Sequence, residues 1–509
     1  MRRILLLAGW LLLGSVAVGQ RADRSLFIKD SLDMYINRAM TNWRIPGMAV
    51  CVVKDNQVVL MKGYGIKEMG LNEGVDENTL FMIGSNTKAF TATAAAMLAD
   101  ADKLSLDDKV SKYFPWFKLE DKAAAEMATV RDLLCHRLGL KTFQGDFTFY
   151  NSNLNRVQVI EKMALLKTSY PFRTKWGYTN SAFLMAGEII PRVSGKTWEA
   201  YLKENIFAPL GMSNTIALTS ELPKSLNRTV AHTLNDERLT PVPYGQLDNM
   251  APAMSISSSV NDMSKWVMAL LNNGKVGPRQ VIPSTAIAAT RTPQDIVGRV
   301  KHVTGESNYE LYGLGWFLQD YAGHNLVMHD GGVTGYVSSV TLVPDERLGI
   351  VILTNTDQND LYEALRWELL DVFLKRSFRN YSEQYLTRSK NEKAVQLQTD
   401  KKLRDSVALN LQPVPSVNGF TGTYHNNVYG NVTIVRGQNN DLEMRFEHHP
   451  RMFAKLQPLG GARFYATFSD PIYGKTVFPF TIENGRVVAV RVKVADFVES
   501  DPYEFRKVN

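Results

Sequence analysis

The feature that most restricts the fold is a long stretch, residues 78–99, in which Lys88 is the only charged residue. Gly84 and Ser85 come just before this lysine, and small or apolar residues follow it as far as Met97. A helix that is apolar on every side has to be buried. The stretch therefore predicts a core helix that begins at a glycine turn, with the rest of the domain packed around it.

Ser85 and Lys88 form a candidate nucleophile and base. No other serine in the chain is followed three residues later by a lysine. One helical turn would place both side chains on the same face, at the helix end where the dipole disfavours an ammonium group. Burial and the dipole both favour the neutral amine, which can take a proton from a serine hydroxyl near neutral pH. A surface lysine beside a serine cap would show the same spacing, so other residues have to decide between the two interpretations.

The N-terminal residues predict export. Arg2 and Arg3 precede an apolar run, residues 4–13, and small residues follow at 17–19. This is the pattern of a secretory signal peptide, predicted here as residues 1–19, so we expect a periplasmic or secreted mature protein. The apolar run has about half of the roughly 20 residues that a membrane span needs, and no cysteine follows it to carry a lipid anchor. We therefore expect no stable membrane span in the mature chain.

Composition argues against several other functions. The net charge of +7 is spread along the chain without a cluster of lysine and arginine, so nucleic acid is not an expected partner. The two cysteines, Cys51 and Cys135, are far apart in the sequence; they suggest no disulfide framework and are expected to be free and buried. No H-x-x-x-H or C-x-x-C spacing occurs, so we expect no metal site.

The pattern along most of the chain predicts one sheet between layers of helices. Its strands are predicted at residues 48–53, 58–61, 315–318, 326–329, 337–343 and 348–353. A turn at 344–346 joins the last two strands, which makes them antiparallel. Helical patterns occur near both ends of the region, at 25–45 and 361–374, and over a long insertion at 106–218. The expected fold class is α/β of the α+β kind: an antiparallel sheet sandwiched by helices, with an inserted helical lobe.

The 509 residues exceed the size of a single domain. The main domain is predicted at residues 24–376. The next segment, 377–415, is charged and poor in apolar residues, and it is predicted to be a linker. Beyond it, at 416–509, alternating segments such as 442–446 and 487–494 indicate a small all-β domain.

A serine nucleophile also needs a proton relay and hydrogen-bond donors around it, and Tyr178-Thr179-Asn180 is one candidate source. A tyrosine can pass a proton to the leaving group, and an asparagine amide can hydrogen-bond both the lysine and a substrate carbonyl. The Y-x-N pattern by itself is weak, because it also occurs at Tyr35, Tyr424 and Tyr429. The alternative interpretation is a buried aromatic residue with a capping asparagine.

A second candidate segment, His329-Asp330-Gly331-Gly332, is predicted at the end of an apolar strand. Glycines there allow a ligand to approach the backbone, whose N–H groups can point at an oxyanion. His329 is a candidate to bind a substrate carboxylate or hydroxyl. The alternative is a histidine at a strand end followed by turn glycines.

These three motifs, S-x-x-K at Ser85, Y-x-N at Tyr178 and H-D-G at His329, resemble in this order those of the serine β-lactamase-like hydrolases. That superfamily includes class C β-lactamases, D-alanyl-D-alanine carboxypeptidases of the penicillin-binding-protein kind, and related esterases. The resemblance covers residues 25–374. The C-terminal all-β domain resembles the lipocalin-like barrel that many homologues append.

The resemblance implies a role for each matching residue. Ser85 would be the nucleophile, and Lys88 and Tyr178 would be its bases. The substrate would be bound by four residues: Asn180, His329, Gly331 and Gly332. The backbone N–H groups of Ser85 and Gly332 would form the oxyanion hole. No cofactor is expected, because this chemistry needs only acid–base groups and an oxyanion hole.

Two departures from the antibiotic-resistance enzymes bear on specificity. Those enzymes carry Lys-Thr-Gly, whose lysine helps to hold the β-lactam carboxylate, where this chain has His329-Asp330-Gly331. The histidine form resembles esterases and D-amino-acid peptidases of the family, which makes these activities more expected than true β-lactamase activity. Met254 stands where relatives often have glycine, and it is expected to narrow the pocket.

The sequence therefore predicts a secreted serine hydrolase that acts through a Ser85 acyl-enzyme on ester, amide or D-amino-acid peptide substrates. Its partners would be small molecules or peptides, with cell-wall fragments among the candidates. Two alternatives remain: an acyltransferase with a hydroxyl or amine acceptor, and a slowly deacylating cell-wall or β-lactam binding protein. The natural substrate, the oligomeric state and the role of the C-terminal domain are left open by the sequence.

Overall fold

The computed structural model describes residues 27–300, 307–437 and 441–508. The predicted signal peptide, residues 1–19, lies outside these ranges. Within them, the model contains no helix with both the length and the apolar character needed to cross a membrane.

The main domain is built on an eight-stranded antiparallel sheet. Its strands are β1 (Gly47–Lys54), β2 (Gln57–Gly65), β3 (Asp295–Arg299), β4 (Tyr309–Tyr312), β5 (Phe317–Tyr321), β6 (His324–Val333), β7 (Tyr336–Val343) and β8 (Leu348–Thr354). Across the sheet they lie in the order β2-β1-β8-β7-β6-β5-β4-β3. Strands from the two ends of the domain are therefore neighbours, with Cys51 opposite Val351. The predicted antiparallel sheet and its first hairpin are confirmed.

Helices cover both faces of this sheet. The longest are α1 (Leu32–Trp43), α2 (Thr87–Asp100), α3 (Asn180–Ser194), α4 (Val260–Leu271), α5 (Leu361–Phe373) and α6 (Tyr381–Ala408). The shorter α-helices are Val110–Tyr113, Lys122–Met127, Val130–Leu134, Asp146–Phe149, Arg156–Met163, Trp198–Leu202, Ala208–Leu210, Ala251–Met254 and Ser284–Arg291. Helices α1 and α5 share a core with one face of the sheet, and α4 packs against β1 and β8. The predicted sandwich of helices around the sheet is confirmed.

Apart from α3, the helices of the inserted lobe are short, and polar side chains cap the starts of some of them. Thr129 and Asp132 form a reciprocal capping box, as their spacing indicates. A second capping box, formed by Asn155 and Gln158, starts the helix Arg156–Met163. Helix α2 runs behind this lobe against α3, and nearly all of its residues are buried. The prediction of a buried core helix after Gly84 is confirmed.

The segment predicted as a linker contains the longest helix. Helix α6 has four buried residues, all in its first two turns: Tyr381, Ser382, Tyr385 and Leu386. The Trp43 indole donates a hydrogen bond to the Ser382 hydroxyl at 3.1 Å, which helps to hold this end to the main domain. The remaining turns are polar and lead to the C-terminal domain. The exact domain boundaries stay a prediction.

The C-terminal domain is a closed antiparallel barrel of eight strands. They are β9 (Gly422–Asn426), β10 (Gly430–Arg436), β11 (Leu442–Phe446), β12 (His449–Pro458), β13 (Arg463–Phe468), β14 (Lys475–Glu483), β15 (Arg486–Val492) and β16 (Tyr503–Lys507). Strand β9 pairs with β16 and closes the barrel, which confirms the predicted all-β domain. The barrel packs against the inserted lobe, where the Phe147 ring stacks on Tyr429 with centroids 4.9 Å apart.

Candidate active site

Ser85 lies in the tight turn Gly84–Asn86 that leads directly into α2. Gly84 has a φ of 53°, a left-handed conformation that glycine adopts without a steric penalty. Lys88 follows one turn later, with its side chain completely buried. Its Nζ is 3.2 Å from the Ser85 Oγ, 2.6 Å from the Asn180 Oδ1 and 2.9 Å from the Ala253 carbonyl oxygen. The predicted serine–lysine contact is present.

The surroundings of Lys88 favour its neutral form. Burial holds the pKa of the amine well below its ordinary value, and the nearby Asp146 carboxyl only partly opposes this. A neutral amine has two N–H bonds and one lone pair. Donation to Asn180 and Ala253 uses both N–H bonds, which leaves the lone pair for the Ser85 hydroxyl. This is the arrangement that a general base needs.

Tyr178 lies beside the lysine in the same buried space. The Lys88 Nζ is 4.5 Å from the centroid of its ring. Burial raises the pKa of the Tyr178 hydroxyl well above its ordinary value, while a hydrogen-bonding contribution from Ser85 acts in the opposite direction. No hydrogen-bond partner of good geometry within 3.5 Å is found for this hydroxyl among the described residues. Tyr178 is thus a neutral phenol beside Lys88, as proton relay requires; the relay role stays a prediction.

Asn180 is the first residue of α3, and its amide joins two buried groups. The Oδ1 accepts from Lys88, and the Nδ2 donates to the Asp146 Oδ2 at 2.5 Å. The predicted contact with the lysine is present. The contact with a substrate carbonyl stays a prediction. The second N–H bond of the Asn180 amide could make it.

Asp146 and His136 are residues of the site that the sequence analysis missed. Burial raises the pKa of the Asp146 carboxyl well above its ordinary value, and Glu499 of the barrel adds to this effect. His136 accepts a hydrogen bond at its Nδ1 from the Thr179 backbone N–H at 3.0 Å, next to Tyr178. Both residues lie in short helical or turn segments without a distinctive pattern, so no local signal could have found them.

The glycines of β6 bring this strand against the turn that carries Ser85. The sequence predicted that this strand ends at His329, and this prediction is wrong. The strand continues to Val333, with Gly331 opposite Ser338 in β7. A Cβ on Gly331 would lie 1.9 Å from the Ile83 carbonyl oxygen, so no other residue fits there. A Cβ on Gly84 would lie 2.9 Å from the Gly332 nitrogen.

The backbone N–H groups of Ser85 and Gly332 therefore belong to segments in close contact. An oxyanion hole needs two such donors near one point. This contact is compatible with the predicted oxyanion hole, and that role stays a prediction.

Within the described ranges of the chain, no free positive charge lies at this part of the strand, because His329 is neutral and Arg366 is paired with Asp330. Burial lowers the pKa of His329 to about 4, and the nearby Lys88 contributes to this, so the imidazole is neutral near pH 7. Its Nδ1 lies 2.6 Å from the Asp330 carbonyl oxygen and its Nε2 lies 3.3 Å from the Tyr312 hydroxyl. The Asp330 carboxylate accepts hydrogen bonds from Arg366 of α5 at 2.7 and 2.8 Å. A neutral imidazole cannot balance a carboxylate charge, and both ring nitrogens of His329 already have partners. Substrate binding by His329 stays a prediction.

A cavity of about 420 Å³ connects these groups. Besides Ser85, Tyr178, Asn180 and the β6 segment, it is lined by aromatic and apolar residues (Phe143, Tyr150, Trp176, Met254, Phe317, Val337, Tyr362, Phe497 and Val498) and by Asp146, Asp330, Asp357 and Asp360. Met254 thus lies where the sequence predicted it would narrow the pocket. Among the described residues, no lysine or arginine lines the cavity. Nor do these parts of the chain contain a group of three or more histidine, cysteine or acidic side chains able to hold a metal ion.

The antiparallel sheet with its helices and the contact between Lys88 and Ser85 agree with the family resemblance of the sequence. The family model described as Beta-lactamase matches residues 32–374, and the chain belongs to this family.

Among curated proteins, the unguisins hydrolase ungD' of Aspergillus campestris is 29% identical over 66% of this chain and 64% of its own length. Protein flp of Staphylococcus aureus strain MRSA252 is 28% identical over 64% of this chain and 63% of its own. The matches therefore span less than two thirds of the length of these relatives.

Solved structures show the same fold at lower sequence identity. The octameric penicillin-binding protein homologue from Pyrococcus abyssi superimposes with a TM-score of 0.61 at 21% identity, over 94% of this chain and 99% of its own. A D-stereospecific amidohydrolase from Streptomyces sp. has a TM-score of 0.53 at 19% identity, over 64% of this chain and 94% of its own. The first of these similarities includes the region of the barrel as well as the main domain.

Proposed function

We propose that this protein is a secreted serine hydrolase that forms an acyl-enzyme on Ser85 and acts on esters, amides or D-amino-acid peptides. The observation that carries the proposal is the buried Lys88 amine, 3.2 Å from the Ser85 Oγ and with a strongly lowered pKa. A buried lysine with no opposing carboxylate in direct contact is costly for a fold. A catalytic base explains its presence.

The proposed reaction has two steps. Lys88 takes the Ser85 proton as the Oγ attacks the substrate carbonyl, and the N–H groups of Ser85 and Gly332 stabilise the resulting oxyanion. The proton passes to the leaving alcohol or amine through Lys88 and Tyr178, the bond to the leaving group breaks, and the acyl group stays on Ser85. Water then attacks the ester while the same bases take its proton. The bond between the acyl carbon and the Ser85 Oγ breaks, the proton returns to the Oγ, and the acid is released.

The charges of the cavity favour substrates without a carboxylate close to the scissile bond. No lysine or arginine among the described residues lines the cavity, so no cation is available there to bind a carboxylate. Its aspartates are not four free negative charges, because burial raises the pKa of Asp146, Asp357 and Asp360. His329 is neutral near pH 7 because its pKa is about 4. Asp330 is engaged by Arg366. A β-lactam or a peptide ending in D-Ala-D-Ala brings a carboxylate to this part of a β-lactamase-like site, so we rank such substrates below neutral esters and amides.

The name of one structural neighbour supports the amide side of the proposal. One similar curated protein is named an unguisins hydrolase, and one structural neighbour a D-stereospecific amidohydrolase. These names describe those proteins, and their sequence identities of 29% and 19% do not transfer a substrate to this chain. They do make an amide as reasonable a test substrate as an ester.

The decisive experiment is intact-mass spectrometry of the mature protein mixed with a p-nitrophenyl ester, a fluorophosphonate, nitrocefin or a D-Ala-D-Ala peptide. We expect an adduct on Ser85 with the fluorophosphonate, turnover of the ester, and no adduct in the Ser85→Ala variant. An acyl adduct from the ester, nitrocefin or the peptide that persists for hours would favour the slowly deacylating binding protein instead. A product joined to an added alcohol or amine would favour the acyltransferase. A folded protein that neither labels nor turns over any reagent would overturn the proposal.

Export is a separate part of the proposal. It rests on the sequence of residues 1–19. When the full chain is expressed in a bacterium, we expect the mature protein outside the cytoplasm, with its N-terminal sequence beginning near Gln20. An intact N-terminus in the cytoplasmic fraction would contradict this part alone.

A further inference from the structure

One loop of the barrel reaches into the cavity of the main domain. It connects β15 to β16 and comprises residues 493–502. Phe497 and Val498 of this loop line the cavity together with Ser85. A Cβ on Gly332 would lie 3.2 Å from the Phe497 Cε2, so the phenyl ring lies against the strand that carries the predicted oxyanion donor. The cavity is therefore built by both domains.

Glu499 attaches this loop to the main domain at a buried point. This residue is only 2% exposed. It accepts hydrogen bonds from the backbone N–H groups of Gly145 and Phe147, each at 2.9 Å, and from the Tyr503 hydroxyl at 2.9 Å. Buried acceptors satisfied in this way are costly to remove. An ion pair between Lys141 and Asp501 at 2.9 Å provides a second attachment at the surface.

The two backbone groups bound by Glu499 flank the residue that contacts Asn180. That residue is Asp146, whose Oδ2 accepts from the Asn180 amide, and Asn180 in turn accepts from Lys88. A continuous set of buried contacts thus leads from the barrel to the catalytic amine. A shift of the turn at Asp146 would move Asn180 and alter the position and charge of Lys88.

We infer that the barrel is a working part of the active site. Phe497 forms a wall of the substrate pocket and selects the group that lies there, and Glu499 is a positioning residue that holds Asp146 against Asn180 and Lys88. The wall is aromatic and, with Phe143, Trp176 and Phe317 also lining the cavity, it suits an uncharged aromatic or branched apolar group. The inference rests on the proposed function at Ser85.

The first test compares two exposed phenylalanines of the barrel. Phe497 is 43% exposed and lines the cavity, whereas Phe453 on β12 is 42% exposed and does not. Binding of p-nitrophenyl acetate and p-nitrophenyl phenylacetate is measured by calorimetry in the Ser85→Ala protein, which needs no acyl-enzyme. In this background, a second substitution Phe497→Ala is expected to weaken binding of at least one ester about tenfold. The control substitution Phe453→Ala is expected to weaken it less than about twofold.

Two patterns of affinity loss in the Phe497→Ala variant would support the role of Phe497 as a wall of the pocket. A larger loss for the phenylacetyl ester would place the ring against the acyl group, and an equal loss for both esters would place it against the leaving group. Equal affinities of the two variants for every ester, or no binding of any ester, would overturn the wall. Turnover by the protein with Ser85 intact is scored separately, so failure of the proposed function is distinguishable.

The second test follows the charge of Lys88. Asp146, Asp501 and Tyr503 face Glu499, and burial raises its pKa to about 7. The Glu499 charge opposes ionisation of Asp146, and an ionised Asp146 would raise the pKa of Lys88. The Glu499→Gln substitution removes this charge, so Asp146 should ionise more readily and the pKa of Lys88 should rise. We expect the acidic limb of kcat/KM for p-nitrophenyl acetate to move to higher pH, because the lysine must lose its proton to act as a base.

Glu504→Gln is the matched control, since Glu504 lies on β16 with an exposed side chain paired to Arg506. We expect it to leave the acidic limb in place. Should Glu499→Gln melt below the assay temperature, Tyr503→Phe replaces it, because loss of that hydroxyl raises the pKa of Glu499 and acts in the same direction. An acidic limb that stays in place in the folded variant, relative to Glu504→Gln, would overturn the positioning role.

Discussion

Helices α2 and α6 contain lysines in opposite environments. Lys88 of α2 is completely buried, and its pKa is well below that of an ordinary lysine. Lys401 of α6 is exposed, and its ion pair with Asp405 at 2.7 Å is also exposed. Both residues sit on well-formed helices, so helix formation does not distinguish them. Burial distinguishes them, because it lowers the pKa of the Lys88 amine and so favours the neutral form that a general base needs.

The largest expected effect concerns the nucleophile at the start of α2. Ser85→Ala should lower kcat/KM for an ester by at least about 10³-fold without unfolding the protein, because no other group can form the acyl-enzyme. Ser111, an exposed serine in a surface helix, offers the matched control. Steady-state kinetics and thermal melting would check both variants. Turnover retained in Ser85→Ala would rule out Ser85 as the nucleophile.

The next effect tests the comparison of the two lysines directly. Lys88→Ala should reduce kcat/KM by about 10²–10⁴-fold, the range typical of general-base catalysis. Lys401→Ala should leave it within about twofold, because an exposed ion pair is worth little. The test is to measure kcat/KM of both variants with the same ester under the same conditions. Activity of Lys88→Ala within a few fold of the unaltered protein would show that burial of this lysine serves only the fold.

The pH dependence sharpens the same comparison. Asp146 is the acidic group that opposes the lowering of the Lys88 pKa. Asp146→Asn keeps an oxygen that can accept from Asn180 but removes this carboxyl. The pKa of Lys88 should therefore fall further, and the acidic limb of kcat/KM should move to lower pH. A shift of that limb to higher pH would contradict the electrostatic relation between the two groups.

The smallest effects concern stability. Asp132 is buried, caps the helix Val130–Leu134 and pairs with Arg137 and Arg173. Asp132→Ala should lower the free energy of unfolding by about 1–3 kcal/mol, from loss of the cap and of charged hydrogen bonds. Asp405→Ala, in the exposed pair of α6, should cost about 0.3–0.5 kcal/mol. Urea denaturation of the two variants would test this order, and equal losses would contradict it.

Local patterns predicted the parts of the site that lie within a few residues of one another. Ser85 and Lys88 are one helical turn apart, and His329 stands beside the glycines of β6. Asn180 is the first residue of α3, and Tyr178 lies two residues before it. Asp146 and Phe497 could not be found in this way, because their importance comes from contacts between segments far apart in the chain. The strand that was expected to end at His329 continues because glycine fits beside the Ile83 backbone, a packing constraint that periodicity does not contain.

The sequence by itself determined the sheet with its helices, the all-β C-terminal domain and the serine–lysine pair, because hydrophobic periodicity and turn residues act over short distances. Only the tertiary structure decided that Lys88 contacts Asn180 and that Asp330 is held by Arg366. It also decided that Phe497 of the barrel lines the cavity and that Glu499 binds the backbone on either side of Asp146. These contacts depend on how distant segments pack. Burial, which sets the charge of Lys88, is a property of the packed molecule as a whole.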